Sequence, residues 1–233
     1  MLDDLKVLTV GSAMVDTIAL VDSRHIERMS MKNADESFLL LAEGSKTDAL
    51  EISTHTGGGA INAAVGLARQ GADVATLAVL GRDQRGETIL TRLISEGVST
   101  RWVVRDDCAT TGASVMVSSH DRNAAIFTYR GANGCLTPAH LRPDAFGVDL
   151  LYVASLSNRS ADCFPAILEL GRRNKAFVAT NPGKRQLSAR GDTLRANLKN
   201  IDMLSINRTE ADTLVPLLVA DRGDGGPPSP DDG

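Results

Sequence analysis

Apolar residues recur along this chain in short unbroken runs, separated by stretches with helical spacing. The first run, residues 5–10, ends at Gly11 and Ser12 and reads as a buried strand. Residues 77–80, 150–154, 176–180 and 201–206 have the same character, and 201–206 suits a strand buried on both faces. Unbroken runs are what parallel strands need when helices cover both sides of their sheet. Three intervening stretches supply helices. Residues 60–70 are rich in small side chains, residues 84–96 carry Ile89, Leu90, Leu93 and Ile94, and residues 160–174 open on Ser160 as the expected cap. The pattern predicts an α/β fold, a mostly parallel sheet with helices on both faces.

Other segments break that rhythm. Residues 14–21, 48–56 and 102–130 contain alternating, β-branched stretches, and Ser119, His120, Asp121, Arg122 and Asn123 form a hairpin-turn sequence between two of them. They predict a small β layer at the strand ends, placed as a lid over a ligand site. Residues 1–220 therefore read as one α/β domain with its lid. Residues 221–233 hold Gly, Pro and Asp but no large apolar side chain, and read as a disordered tail or a severed loop.

Composition narrows the function classes. The 233 residues carry 25 Lys and Arg against 29 Asp and Glu, a net charge of -4, and 3% are aromatic. Neither a basic stripe nor a base-stacking platform is present, which counts against nucleic-acid partners. No apolar run nears the roughly 18 residues of a membrane span. The opening Met1, Leu2, Asp3 and Asp4 are no secretory signal, so a cytoplasmic protein without a membrane partner is expected. Cys108, Cys135 and Cys163 form no CxxC pair, and the spacing indicates neither structural zinc nor a disulfide framework. His25, His55, His120 and His140 are isolated and have no metal-ligand spacing.

The most informative stretch is Thr56, Gly57, Gly58, Gly59, Ala60, Ile61, Asn62, Ala63, Ala64. Three glycines before a helix leave backbone N–H groups open and let a ligand approach closely. The same cluster also serves as a tight turn. It is neither a Walker A loop nor a G-x-G-x-x-G fingerprint. Asn62, one turn into the helix, is a poor core residue unless its amide has a partner.

This turn resembles the first signature of the ribokinase-like (PfkB) carbohydrate kinases, and further landmarks follow in order. Gly81, Asp83 and Gly86 keep a G-x-D-x-x-G spacing, and Gly97-Val98 follows. Thr111-Gly112, Gly131-Ala132-Asn133, Asn181-Pro182 and the N-x-x-E pair Asn207 and Glu210 complete the series. The resemblance, covering residues 5 to about 219, implies ATP-dependent phosphorylation of a sugar or a nucleoside, with Mg2+. It implies that Asp16, Gly58, Gly59 and Asn62 bind the sugar, with Met14 lining the pocket. Gly59 stands where ribokinases proper commonly have a lysine. Asn207 is implied at the nucleotide phosphates and Glu210 at magnesium through water. The same pair also reads as a helix-capping box. A homodimer is implied through the lid strands, or through an exposed sheet edge at residues 201–206.

The family's D-T-x-G-A-G-D segment, which supplies base and anion hole, does not occur in the chain. Arg222, Gly223, Asp224, Gly225 and Gly226 only imitate it. No catalytic residue is therefore assigned, and the chain reads as the N-terminal two-thirds of such a kinase, inactive by itself. A non-catalytic sugar-binding or regulatory remnant is the alternative reading.

Overall fold

The computed structural model describes residues 4–22, 44, 46–107, 109–118 and 124–219. The expected hairpin turn at 119–123 and the tail at 221–233 lie outside the described residues. Five parallel strands form the main sheet: β1 (Lys6–Val10), β4 (Asp73–Leu77), β9 (Leu150–Ala154), β10 (Phe177–Asn181) and β11 (Met203–Leu204). Their order is β11-β10-β9-β1-β4. The apolar runs are explained by two cores. Leu8, Val10, Leu151, Val153 and Val178 join the core that holds Phe164, Ile167, Leu187 and Leu194. Those four lie on helices α3 (Phe164–Arg173) and α4 (Lys184–Asn197). Val7 and Val74 belong instead with Ile61 of α1 (Gly59–Ala68) and with Ile89 and Leu93 of α2 (Gln84–Ser95). The fold is the expected α/β sandwich.

The lid is a separate four-stranded sheet: β2 (Met14–Val21), β3 (Ala49–Gly57), β7 (Gly112–Ser118) and β8 (Ala124–Tyr129), in the order β3-β2-β7-β8. Several expectations need correction. The apolar run 77–80 is not one strand: β4 ends at Leu77, and β5 (Val79–Gly81) pairs with β6 (Val104–Asp106) in a small sheet of its own. Val104 to Asp106 therefore leave the lid. Residues 158–163 form a 3-10 turn ahead of α3, and the hydroxyl of Ser160 does not cap. It donates to the Asn133 carbonyl and accepts from the Leu136 N–H.

Residues 201–206 are not buried on both faces: Met203 is 53% exposed. The cause is position, since β11 is an edge strand and the sheet face beside α1 is incompletely covered. Leu67, Leu150, Tyr152, Phe177 and Met203 line an apolar groove there of about 560 Å³. Burial pushes the Tyr152 hydroxyl pKa up. Cys135 is disulfide-bonded, against the reading of the cysteine spacing, while Cys163 is free and buried.

One polar grip returns the chain from the small sheet to the lid. Asp83 caps α2 by accepting from the Gly86 N–H at 2.9 Å, and its second oxygen accepts from the Thr111 N–H at 2.6 Å. Burial raises its pKa, but the Gly86 and Thr111 donors, with Arg85, outweigh this and hold the carboxyl below the usual range. Its ionised form therefore favours folding. That contribution is full above about pH 4 and is lost as pH falls through the depressed native value. Replacing Asp83 by Ala should cost about 1–2 kcal/mol in urea unfolding at neutral pH. The gap between the wild-type chain and Asp83→Asn should narrow below about pH 4; a pH-independent gap would contradict the assignment.

Candidate functional site

The carboxyl ends of parallel strands are where open α/β sheets bind ligands, because chain crossings there leave a crevice. At the end of β1 the chain turns through Gly11, Ser12 and Ala13 and enters the lid at Met14. The lid comes back down along β3 to Gly57, directly opposite Met14 in the β2–β3 register. α1 then begins. The structure thus brings Met14, Asp16, Gly58 and Gly59 together where the lid meets the sheet.

Each contact has a local cause. Asp16 lies on the same strand face as Met14, two residues on, and Oδ1 accepts from the Ser114 hydroxyl of β7 at 2.5 Å. Its other oxygen lies against Gly57, where any Cβ would collide with it. Gly58 has φ 98°, and its α-carbon faces the carbonyl of Ser12, so a side chain meets both strain and a clash. Ser12 holds the start of α1 at two points. Its hydroxyl accepts from Gly59 N–H at 3.2 Å and its carbonyl from Ala60 N–H at 3.2 Å. Asn62 is exposed and makes no hydrogen bond through its amide among the described residues. It is therefore not a core residue seeking a partner.

Asn207 and Glu210 sit apart from this cluster, at the start of α5 (Arg208–Val219) after β11. That is three strands across the sheet, on the order of 14 Å at ~4.8 Å per strand. They form a reciprocal capping box. Glu210 accepts from Asn207 N–H at 2.9 Å, and the Asn207 side chain accepts from Glu210 N–H at 2.9 Å. The Glu210 carboxylate remains the kind of single oxygen donor that Mg2+ uses through its own waters.

Sequence reading did not single out Ser12, Ser114 or the role of Asn133. Ser114 was detectable in principle, as the polar residue opposite Asp16 in a strand that alternates Gly112, Ser114 and Met116. Asn133 is buried. It accepts from the Ala13 N–H at 2.7 Å and donates to the Ala13 carbonyl at 2.9 Å. Only the fold reveals that pairing, because 120 residues separate the partners.

The fold and the site define a lid-bearing α/β protein whose polar cluster closes over the carboxyl end of β1. A family model described as pfkB family carbohydrate kinase matches residues 4–222, and the chain belongs to that family. Ribokinase from Haemophilus influenzae is 30% identical over 169 residues, covering 71% of this chain and 53% of its own. The bifunctional ribokinase/ribose-5-phosphate isomerase A of Fructilactobacillus sanfranciscensis is 24% identical over 219 residues, 93% of this chain and 36% of its own. This chain thus spans about half or less of the length of these curated relatives. Among solved structures, a carbohydrate kinase from Agrobacterium tumefaciens superposes with a TM-score of 0.70 at 22% identity, covering 90% of this chain and 63% of its own. A fructokinase with bound ATP from Xylella fastidiosa gives 0.69 at 19% identity, covering 93% and 65%. These likenesses show the fold.

Replacing Gly58 by Ala should lower unfolding stability by about 1–3 kcal/mol, the cost of a strained backbone with a clash. Asp16→Ala strains no backbone and removes the Ser114 hydrogen bond, so it should cost about 0.5–1.5 kcal/mol in the same measurement. Equal midpoints for all three chains would remove the strain argument at Gly58.

Proposed function

We propose that this chain binds the sugar acceptor of an ATP-dependent carbohydrate kinase. The observation that carries the reading is the Asp16 carboxylate, held by Ser114 and pressed to the glycine turn at the mouth of the lid. Such a carboxylate can accept from two neighbouring hydroxyls, and charge-assisted bonds of this kind are the stronger ones. Asn62, exposed with its amide unengaged, adds a donor and an acceptor on the adjoining turn of α1. Met14 contributes an apolar wall. Ribose-like sugars and nucleosides both present the hydroxyl pairs that this set recognises.

ATP and Mg2+ are the proposed co-reactants. Glu210 would meet Mg2+ through water, with Asn207 at the phosphates, and the metal would neutralise charge on the transferred group. The capping box does not conflict with this, because it engages only one of the two Glu210 oxygens. Phosphoryl transfer also needs a base for the attacking hydroxyl. No residue in this chain is assigned that role, since the D-T-x-G-A-G-D sequence does not occur in it. A binding role without turnover is therefore the reading proposed for these 233 residues alone. Self-association, through the lid strands or along β11, is part of the proposal. The exposed apolar side chains Ile52 and Phe127 on the lid, and Met203 at the edge, support it.

Calorimetry with ribose, fructose and adenosine tests the reading. At least one of them should bind. Asp16→Ala should weaken it by about 1.5–3 kcal/mol, the value of a hydrogen bond to a charged group, and Asn62→Ala by about 0.5–1.5 kcal/mol, the value of a neutral one. The purified chain should form no phosphorylated product with ATP. Unchanged affinity in both variants removes these residues from the site, and steady product formation overturns the assignment of no base.

A further inference from the structure

Cys135 is disulfide-bonded, and Cys163 is free and buried. The sequence holds one further cysteine, Cys108, which lies outside the described residues. We propose that Cys135 pairs with Cys108, and that the pair is a reversible thiol–disulfide site locking the lid hinge and, with it, the sugar cluster. Its co-reactant is a small disulfide of the glutathione class. Both cysteine S–H bonds break and one S–S bond forms. The two protons and two electrons pass to the glutathione disulfide, which leaves as two thiols.

In sequence the two cysteines bracket the second lid hairpin, since β7 opens at Gly112 and β8 ends at Tyr129. The stretch entering β7 and the turn leaving β8 are pressed together beside Cys135. The Ala132 N–H donates to the Thr110 carbonyl at 2.9 Å, and the Cys135 N–H donates to the Ala132 carbonyl at 3.0 Å. Gly112 packs on the Asn133 amide, and Gly131 on the Thr110 carbonyl, each too closely for a Cβ. Asn133, two residues before Cys135, bonds both sides of Ala13, where β2 departs. A covalent tie from Cys108 to Cys135 limits how far these segments can separate. Without it, the hinge is held by neutral hydrogen bonds, each of small net value.

The cysteine set suits exchange better than a permanent framework. Disulfide frameworks staple small domains and use cysteines in even number. This chain has three, and its two clusters of buried apolar side chains supply a core without a staple. Cys163 is the thiol that could scramble the pair, because its Sγ meets the carbonyl of Leu136, next in sequence to Cys135, at 3.6 Å. Burial, and then the charge of Asp162, push its pKa up, which keeps it protonated and unreactive. The chemistry is thereby confined to Cys108 and Cys135.

The test uses the full chain, oxidised with glutathione disulfide or reduced with dithiothreitol. After denaturation the oxidised chain should present one thiol and yield a linked peptide joining Cys108 to Cys135, and the reduced chain should present three. In hydrogen exchange, reduction should speed the Ala13 and Ala132 amides by about tenfold or more, while Leu151 and Val153 of β9 keep their protection. Cys108→Ser and Cys135→Ser should show the fast rates without reductant, and oxidised Cys163→Ser the slow ones. Whichever of ribose, fructose and adenosine binds should bind the reduced chain about threefold more weakly or worse, because the competent hinge is less populated. Three thiols after oxidation, a covalently linked dimer, or equal exchange rates at Ala13 and Ala132 in both states overturn the proposal. Equal affinity of the two states for a sugar that binds overturns it likewise, as does loss of protection in β9 on reduction, which makes the bond a structural staple. The lock does not rest on the sugar-binding reading. If none of the three ligands binds, that reading fails, and the thiol count and exchange rates alone decide the lock.

Discussion

The arrangement depends on one buried amide. Asn133 grips the peptide of Ala13 from both sides, with its oxygen on the N–H and its nitrogen on the carbonyl. Ala13 is the residue between the main sheet and the lid, so this pair of bonds fixes the angle at which β2 departs. Gly112, where β7 enters the lid, packs so closely on the same amide that a Cβ there would collide with its nitrogen. A buried amide missing either bond would bear a desolvation cost of about 1–3 kcal/mol. The latch is therefore favourable only in this geometry. That geometry sets Asp16 over Gly57 and turns Gly58 toward Ser12. The remaining carbonyl of Asn133 accepts from Ser160, which carries the constraint on to the turn ahead of α3.

Much of the fold was legible from burial alone. The runs at 5–10, 150–154 and 176–180 fall on β1, β9 and β10, because each of those strands sends apolar side chains into a buried core. The same property hid the turn between β4 and β5. Leu77, Ala78, Val79 and Leu80 are all buried, so apolarity runs unbroken through a change of sheet. Residues 201–206 misled for the opposite reason. Their apolar composition suits burial on both faces, whereas the edge of the sheet leaves Met203 half in solvent.

The candidate site was legible wherever a residue type has few uses. Gly58 is required by a positive φ and a close carbonyl, and Asp16 is an acid in an otherwise apolar strand start. The residues that hold these in place were not legible. Serines are common, and the links from Ser12 to Gly59 and from Ser114 to Asp16 span 47 and 98 positions. Asn207 and Glu210 read equally well as a cap and as a phosphate-site pair, and the cap is realised.

Backbone amide NMR is the most direct probe of the claim that the lid hinge and the glycine turn form a sugar site. On titration with ribose, fructose or adenosine, the amides of Asp16, Gly58, Gly59 and Asn62 should shift saturably with a single dissociation constant. Those of Leu67 and Tyr152, in the apolar groove on the far side of α1, should stay fixed. Saturable binding that moves the groove amides and leaves the four site amides unchanged would contradict the account.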